Sequence, residues 1–219
     1  MQTDLETGNL SGHTTNGGIL MSVEIYYFSG TGNSLYIARE LQKRIPDSIL
    51  IPIVSLLTEK VVHTRGKSVG FVFPVHALTI PIAVKKFIEK TDFGSSQYLF
   101  AVATREGTIF RGFEKIDKLL GKKGKRLDSH FVLNMCNNES RHEGYKVPSQ
   151  SDIAEFEKAA LEKLDIICNV ISTKTTSREK DTDYTIDFGQ HPVLNYLLEK
   201  LVITGMAVSE YIGGVNYFY

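Results

Sequence analysis

From Met21 onward the chain alternates short apolar runs with stretches whose apolar residues recur every three or four positions. Val23-Glu24-Ile25-Tyr26-Tyr27-Phe28 is β-branched and aromatic and stops at Ser29-Gly30, which reads as a strand. Leu35, Ala38, Leu41 and Ile45 then follow at helical spacing until Pro46 ends the pattern. Ile49 to Val54 predicts a second strand, and Val69 to Phe73, stopped by Pro74, a third. Pro81 suits the first turn of a helix whose buried face holds Ile82, Val84, Phe87 and Ile88. Tyr98 to Thr104 predicts a fourth strand, followed by a helix around Phe110 to Leu120, and Ser129 to Asn134 a fifth. A long helix from about Ser151 to Ile171 carries Ile153, Phe156, Ala160, Leu164 and Ile167 on one stripe.

Strands that are apolar nearly throughout are buried on both faces. Alternating with helices, they call for a parallel sheet with right-handed crossovers, a three-layer α/β sandwich. In such folds ligands bind outside the carboxyl ends of the strands, where the strand order reverses. Thr173 to Asp187 is polar and charged and reads as a hinge or surface loop. His191-Pro192 precedes a last helix, about Val193 to Ser209, and the end from Glu210 to Tyr219 is aromatic. Met1 to Leu20 is rich in Gly, Thr, Asn and Ser. Without a basic start or an apolar stretch, it reads as a disordered extension rather than a signal peptide. The Val193 to Ser209 segment contains Asn195, Glu199 and Lys200 and is too short to span a bilayer.

The 219 residues allow one core of ordinary domain size, and an apolar fraction of 42% fits a globular protein. Lys+Arg and Asp+Glu both number 25, which argues against nucleic acid as a partner. The basic run Lys122-Lys123-Gly124-Lys125-Arg126 reads as a solvated loop after a helix. Cys136 and Cys168 are too far apart for a CxxC pair, which disfavours a cysteine-ligated zinc or iron–sulfur site and a disulfide framework. The pattern fits a reducing cytoplasm. Cys136 to Arg141 is one residue short of a cysteine phosphatase loop, the histidines show no ligand spacing, and no G-x-S-x-G occurs.

Ser29-Gly30-Thr31-Gly32-Asn33-Ser34 stands where the first strand enters the first helix. Gly30 and Gly32 let the backbone wrap closely around an anion, and the helix start offers unpaired N–H groups at a positive dipole end. Ser29, Thr31, Asn33 and Ser34 add short side-chain donors, and the loop has no Lys or Arg. Neutral donors suit an enclosed monoester phosphate such as that of FMN. The P-loop lysine of a triphosphate site is missing. So is G-x-G-x-x-G, because Leu35 occupies its third glycine position.

The stretch Tyr27 to Ser34 resembles the phosphate loop of flavodoxins, and looks closest to the flavodoxin half of two-module flavodoxin–ferredoxin (iron–sulfur flavoprotein) oxidoreductases. The resemblance covers about Met21 to Ile171. It implies a flavodoxin-like α/β/α sandwich with a five-stranded parallel sheet in the order 2-1-3-4-5 and a C-terminal helical extension. The implied division is 1–20 as extension, 21–171 as the FMN-binding domain, and 172–219 as hinge, helix and aromatic tail. In this family the loops after the third and fourth strands flank the flavin ring. Here those are Pro74, Val75, His76 and Ala77, and Thr104, Arg105, Glu106 and Gly107. His76 stands where the family has an aromatic residue, and the chain has no Trp to stack on the ring. Arg105 or a protonated His76 near the ring would favour its reduced form. Asn134 to Glu139 resembles the family's Met-Pro-x-Asn-Tyr loop, with Cys136 for the proline and Glu139 for the tyrosine. Asn137 or Asn138 is left to approach the flavin.

The resemblance implies an oxidoreductase or electron-transfer flavoprotein whose cofactor is FMN. The sequence stops where the family's ferredoxin cysteines would begin: either it is a shortened piece or the protein lacks clusters of its own. In the second case electrons would pass to and from a separate, ferredoxin-type redox partner, with the aromatic tail either packed on its own domain or serving as a docking or homodimer patch. Neither nucleic acid nor membrane is implied. Two other functions fit the same scaffold: an NAD(P)H-dependent FMN or quinone reductase, and a flavin-free binding or regulatory module.

Overall fold

The computed structural model describes residues 23–107, 110–138, 140 and 145–180, and of the C-terminal segment 193, 196–198, 200–202 and 204–205. The extension at 1–20, the aromatic tail and part of the last predicted helix lie outside the described residues, as do Thr108, Glu139 and Arg141.

Among the described residues, six parallel strands form the main sheet. In chain order they are β1 (Val23–Tyr27), β2 (Ser48–Pro52), β4 (Ser68–Pro74), β6 (Tyr98–Arg105), β7 (Ser129–Asn134) and β8 (Ser177–Arg178). Their spatial order is β2-β1-β4-β6-β7-β8. The five longer strands therefore run 2-1-3-4-5, the flavodoxin-like doubly wound arrangement. A second parallel pair joins β3 (Val62–His63) to β5 (Thr91–Asp92).

The sequence pattern missed β3, β5 and β8, each only two residues long and without a readable period. It placed β8 inside a hinge. The structure instead runs α4 (Gln150–Thr173) through Lys174 at φ 53° straight into the sheet edge. The second strand also ends earlier than expected, because Ile53–Leu56 forms a 3-10 turn.

Side chains alternate between two cores. Val23, Ile25 and Val72 face α1 (Asn33–Arg44) and α4, meeting Ile37, Leu41, Leu164 and Ile167. Tyr26, Phe71 and Phe73 face α2 (Ile82–Lys90) and α3 (Phe113–Gly121), meeting Phe87, Ile88, Ile116 and Leu120. Truncating Phe71 or Phe87, both fully buried, to alanine would cost about 3–5 kcal/mol. Gly70 interrupts the apolar run of β4 because the Phe100 ring lies over it, 2.1 Å from where a β-carbon would stand. α4 opens on a capping box, with Asp152 N–H donating to Ser149 Oγ at 3.1 Å and Ser149 N–H donating to Asp152 Oδ2 at 3.2 Å.

Beyond β8 the outer edge of β7 is closed by side chains. Lys163 Nζ donates to Val132 O at 2.8 Å and pairs with Glu179 at 2.6 Å, while Val132 N–H reaches Glu179 Oε2 at 3.4 Å. An ion pair thus meets the edge groups that a further strand would take.

His130 sits at this side of the sheet, 7% exposed, with its ring stacked on Phe113 at 4.1 Å and Nδ1 without a hydrogen-bond partner. Burial, and then the nearby Arg178, push its pKa from 6.5 down to about 4, against the pull of Asp117. The folded protein therefore holds it neutral while the unfolded chain takes up a proton as pH falls. Stability is lost from about pH 6.5 downward and levels off below about 4, in total roughly 3 kcal/mol. His130→Phe keeps the stack and removes the titration. Urea unfolding at neutral pH and at about pH 4.5 should show the variant losing about 2 kcal/mol less than the parent between the two. Equal losses would contradict the account.

Candidate functional site

β1 lies between β2 and β4, so the crossovers leave it and β4 in opposite directions, and a crevice opens at their carboxyl ends. The chain passes from β1 to α1 through Phe28-Ser29-Gly30-Thr31-Gly32. Phe28 is buried and extends the pairing by one residue, its N–H donating to Val72 O at 2.9 Å. That fixes the base of the loop.

Gly32 caps α1 at φ 111°, ψ −29° and has no side chain to satisfy the first amides. The N–H groups of Asn33, Ser34 and Leu35 therefore have no acceptor within the helix and face outward at its positive end. Ser29 Oγ accepts the Gly32 N–H at 3.2 Å and keeps its own proton to donate. The two glycines differ in what demands them. The φ of Gly32 is one that L side chains rarely adopt. Gly30 has no positive φ, and a β-carbon built on it meets nothing within 4 Å. Packing gives no reason for glycine at 30; a ligand held against the backbone gives one.

Other loop side chains are already engaged. Ser34 and Thr104, 1% and 2% exposed, meet through their hydroxyls at 2.8 Å and tie the first turn of α1 to the end of β6. The Ser34 hydroxyl is thus engaged with Thr104, and its amide stands at the open start of α1. Thr31 Oγ1 donates to Asn138 Oδ1 at 2.5 Å, and Asn138 Nδ2 donates to Thr31 O and to Asn33 Oδ1, both at 2.9 Å. Asn33 Nδ2 donates to Cys136 O at 2.8 Å. The segment after β7 is thereby strapped across the loop. Cys136 is half-buried, and its thiol pKa is raised, chiefly by burial and then by Asp152.

The two segments read as flanking a ring meet beside this loop. Val75 N–H donates to Thr104 O at 2.8 Å, joining the exits of β4 and β6. His76-Ala77-Leu78-Thr79 closes a tight turn, with His76 N–H to Thr79 O at 3.0 Å and Thr79 N–H to His76 O at 2.8 Å. Ala77 at φ 44° and Leu78 at φ 61° give it positive φ at both central positions, the type I′ form. That conformation costs a non-glycine residue about 1–2 kcal/mol. The His76 ring stands edge-on to Phe28 at 5.9 Å. Thr104 and Arg105 end β6 rather than lying in a loop. Arg105 is 5% exposed, with Nε donating to Asn134 Oδ1 at 2.9 Å. Glu106 and Gly107 are exposed in the turn that follows.

Loop 29–34 and residues 74–77 and 104–107 thus gather at one end of the sheet. Asn138 and Cys136 join them across more than 100 positions of chain, a link that no local pattern announces. At the opposite end, a depression of about 510 Å³ is lined by Lys60, Lys90, Lys123 and Lys125. Three of these ammonium groups are spent on carbonyls: Lys90 on Leu57 and Glu59, Lys123 on Glu89, and Lys125 on Ser96. Among the described residues no group of His, Cys, Asp and Glu could hold a metal ion, and no helix is long and apolar enough to cross a membrane.

No protein-family model matches the chain, and no curated protein matches it. Solved structures do. A flavodoxin from the domain Archaea is similar at 15% identity and a TM-score of 0.43, over 67% of this chain and 99% of its own. A WrbA-like flavodoxin from Agrobacterium tumefaciens is similar at 12% identity and a TM-score of 0.42, over 70% and 98%. An FMN-dependent NADH-azoreductase from Bacillus anthracis strain Ames Ancestor, solved with FMN, is similar at 7% identity and a TM-score of 0.43, over 68% and 98%. The assignment to the flavodoxin-like fold rests on the sheet order itself.

Proposed function

We propose that the chain is an FMN-binding redox protein that passes electrons between partner proteins in a reducing cytoplasm. Loop 29–34 would take the phosphate, and the exits of β4 and β6 would flank the ring. One observation carries the reading: the β1–α1 loop at the switch point combines an α1 start without a side-chain cap with a glycine at 30 that packing does not require. The donor set fits the group. Backbone amides, Ser29 and Thr31 offer neutral hydrogen bonds to a phosphate, and the strong local dipole balances its charge without a lysine. The turn at 76–79 and the buried Arg105 would sit against the ring, Arg105 as fixed positive charge. FMN, when bound, supplies one- and two-electron transfer. The protein supplies binding, orientation and electrostatics. The partner proposed is a ferredoxin-type protein.

The test is the visible spectrum of the purified protein and its titration with FMN and with riboflavin. Flavin absorbance bands and FMN binding at least tenfold tighter than riboflavin are expected, because the phosphate contacts are worth more than about 1.4 kcal/mol. A colourless protein that cannot be reconstituted would sink the proposal. NADPH oxidation with a quinone would move the assignment to a reductase.

The two glycines should separate. Gly30→Ala should leave thermal stability within about 2 °C of the parent and weaken FMN binding at least tenfold. Gly32→Ala should cost about 1–2 kcal/mol of stability through its φ. Unchanged FMN affinity in Gly30→Ala would show that no ligand approaches that backbone.

Arg105→Gln, once shown to hold FMN, should have a more negative midpoint potential than the parent, because a positive charge that stabilises the reduced, anionic ring is lost. An unchanged potential in a spectroelectrochemical titration would place Arg105 away from the ring.

A further inference from the structure

Asn138 commits both its amide hydrogens and its oxygen to the loop. Both Nδ2 hydrogen bonds go to the phosphate loop, to Thr31 O and Asn33 Oδ1 at 2.9 Å each, and Oδ1 takes the Thr31 hydroxyl at 2.5 Å. The bond to Thr31 O matters most. The Thr31–Gly32 peptide is held at its carbonyl by Asn138 and at its N–H by Ser29 Oγ, 3.2 Å away. This peptide precedes the residue at φ 111°, a glycine free to change its backbone angles. Left alone, it can rotate and turn a carbonyl toward the space where an anion would sit. A carbonyl dipole there repels a phosphate, while the present orientation keeps that carbonyl turned to Asn138.

We infer that Asn138 is a positioning residue that pre-organises the phosphate loop, and that it sets the preference for phosphorylated over unphosphorylated flavin. The inference rests on the FMN reading above. The Asn138 donors face the loop's own acceptors, so they do not compete for a phosphate, which only accepts. The Thr31 hydroxyl is the exception, because it must swing from the neutral Asn138 Oδ1 to a charged oxygen. That exchange is favourable, since charge-assisted hydrogen bonds are about twice as strong as neutral ones. Asn138 therefore holds the loop without blocking it. When the competent loop conformation is only fractionally populated, the apparent dissociation constant rises by the inverse of that fraction. Removing Asn138 lowers the fraction, and only a ligand that uses the loop feels the loss.

The experiment compares full-length parent, Asn138→Ala and Asn138→Asp by flavin fluorescence titration with FMN and with riboflavin, alongside thermal unfolding without flavin. Asn138→Ala should raise the FMN dissociation constant about tenfold and leave that of riboflavin within twofold. Asn138→Asp, which loses both donors and adds a negative charge, should weaken FMN further. Unchanged FMN affinity in a folded Asn138→Ala protein overturns the inference and leaves the FMN reading intact. Equal weakening of both flavins also overturns it, since the effect is then on the fold or the ring. A parent that prefers neither flavin, or binds neither, overturns the FMN reading and this inference with it.

Discussion

The parallel pairing of β1 on both sides, with β2 through Val23↔Ser48 to Tyr27↔Pro52 and with β4 through Val23↔Ser68 to Tyr27↔Val72, governs the whole carboxyl end of the sheet. The connection from β1 leads to β2 on one side and the connection from β4 to β6 on the other, so right-handed crossovers place the two on opposite faces of the sheet. The loops after β1 and β4 then part, and backbone donors are left at the gap with no strand to meet them. The Phe28 amide on Val72 O and the Ser34–Thr104 pair lock both sides of that gap to the core. Loop 29–32 therefore stands on a rigid base, and its freedom is confined to the glycine peptides at its rim.

The strand pattern was readable because β1, β4, β6 and β7 are buried on both faces, so nearly every position in them must be apolar or small. The two-residue strands were not. Pairs such as Ser177–Arg178 are held by main-chain bonds and by the Lys163–Glu179 ion pair, and neither leaves a period in the sequence. Loop 29–34 was legible as a candidate for a different reason: its glycines and short polar side chains lie within six consecutive residues. The contacts that tie it down come from far along the chain, from Asn138 and Cys136 after β7 and from Thr104 at the end of β6. Ser34 shows the converse. Its residue type suggested a donor to a ligand, but as the buried second residue of α1 its hydroxyl meets that of Thr104.

Strain and charge are set around the loop in complementary ways. The turn at Ala77 and Leu78 holds two residues in a conformation their side chains resist, and reciprocal His76–Thr79 bonds with the Arg111 N–H on Leu78 O keep it there. A turn fixed at that cost cannot drift, so it is suited to confining a flat ligand. Beside it, Arg105 is withdrawn into the end of β6 and shared with Asn134, not presented at the surface. A cation held there acts through its field, and the low polarisability around it strengthens that field.

The devices that stabilise the fold stand apart from those that shape the site. The aromatic cluster of Phe71, Phe73, Phe87 and Phe93 lies under α2 and α3, and the closed β7 edge is at the far side of the sheet. The loop at 29–32 adds almost nothing to these, since a β-carbon at Gly30 or Gly32 would touch no other atom within 4 Å. A protein gains no stability from glycines in open space, and it pays conformational entropy to order them. At the one junction where strand order reverses, Gly32 answers to its backbone angle and Gly30 to the ligand proposed above, and the strap from Asn138 holds the loop that carries both.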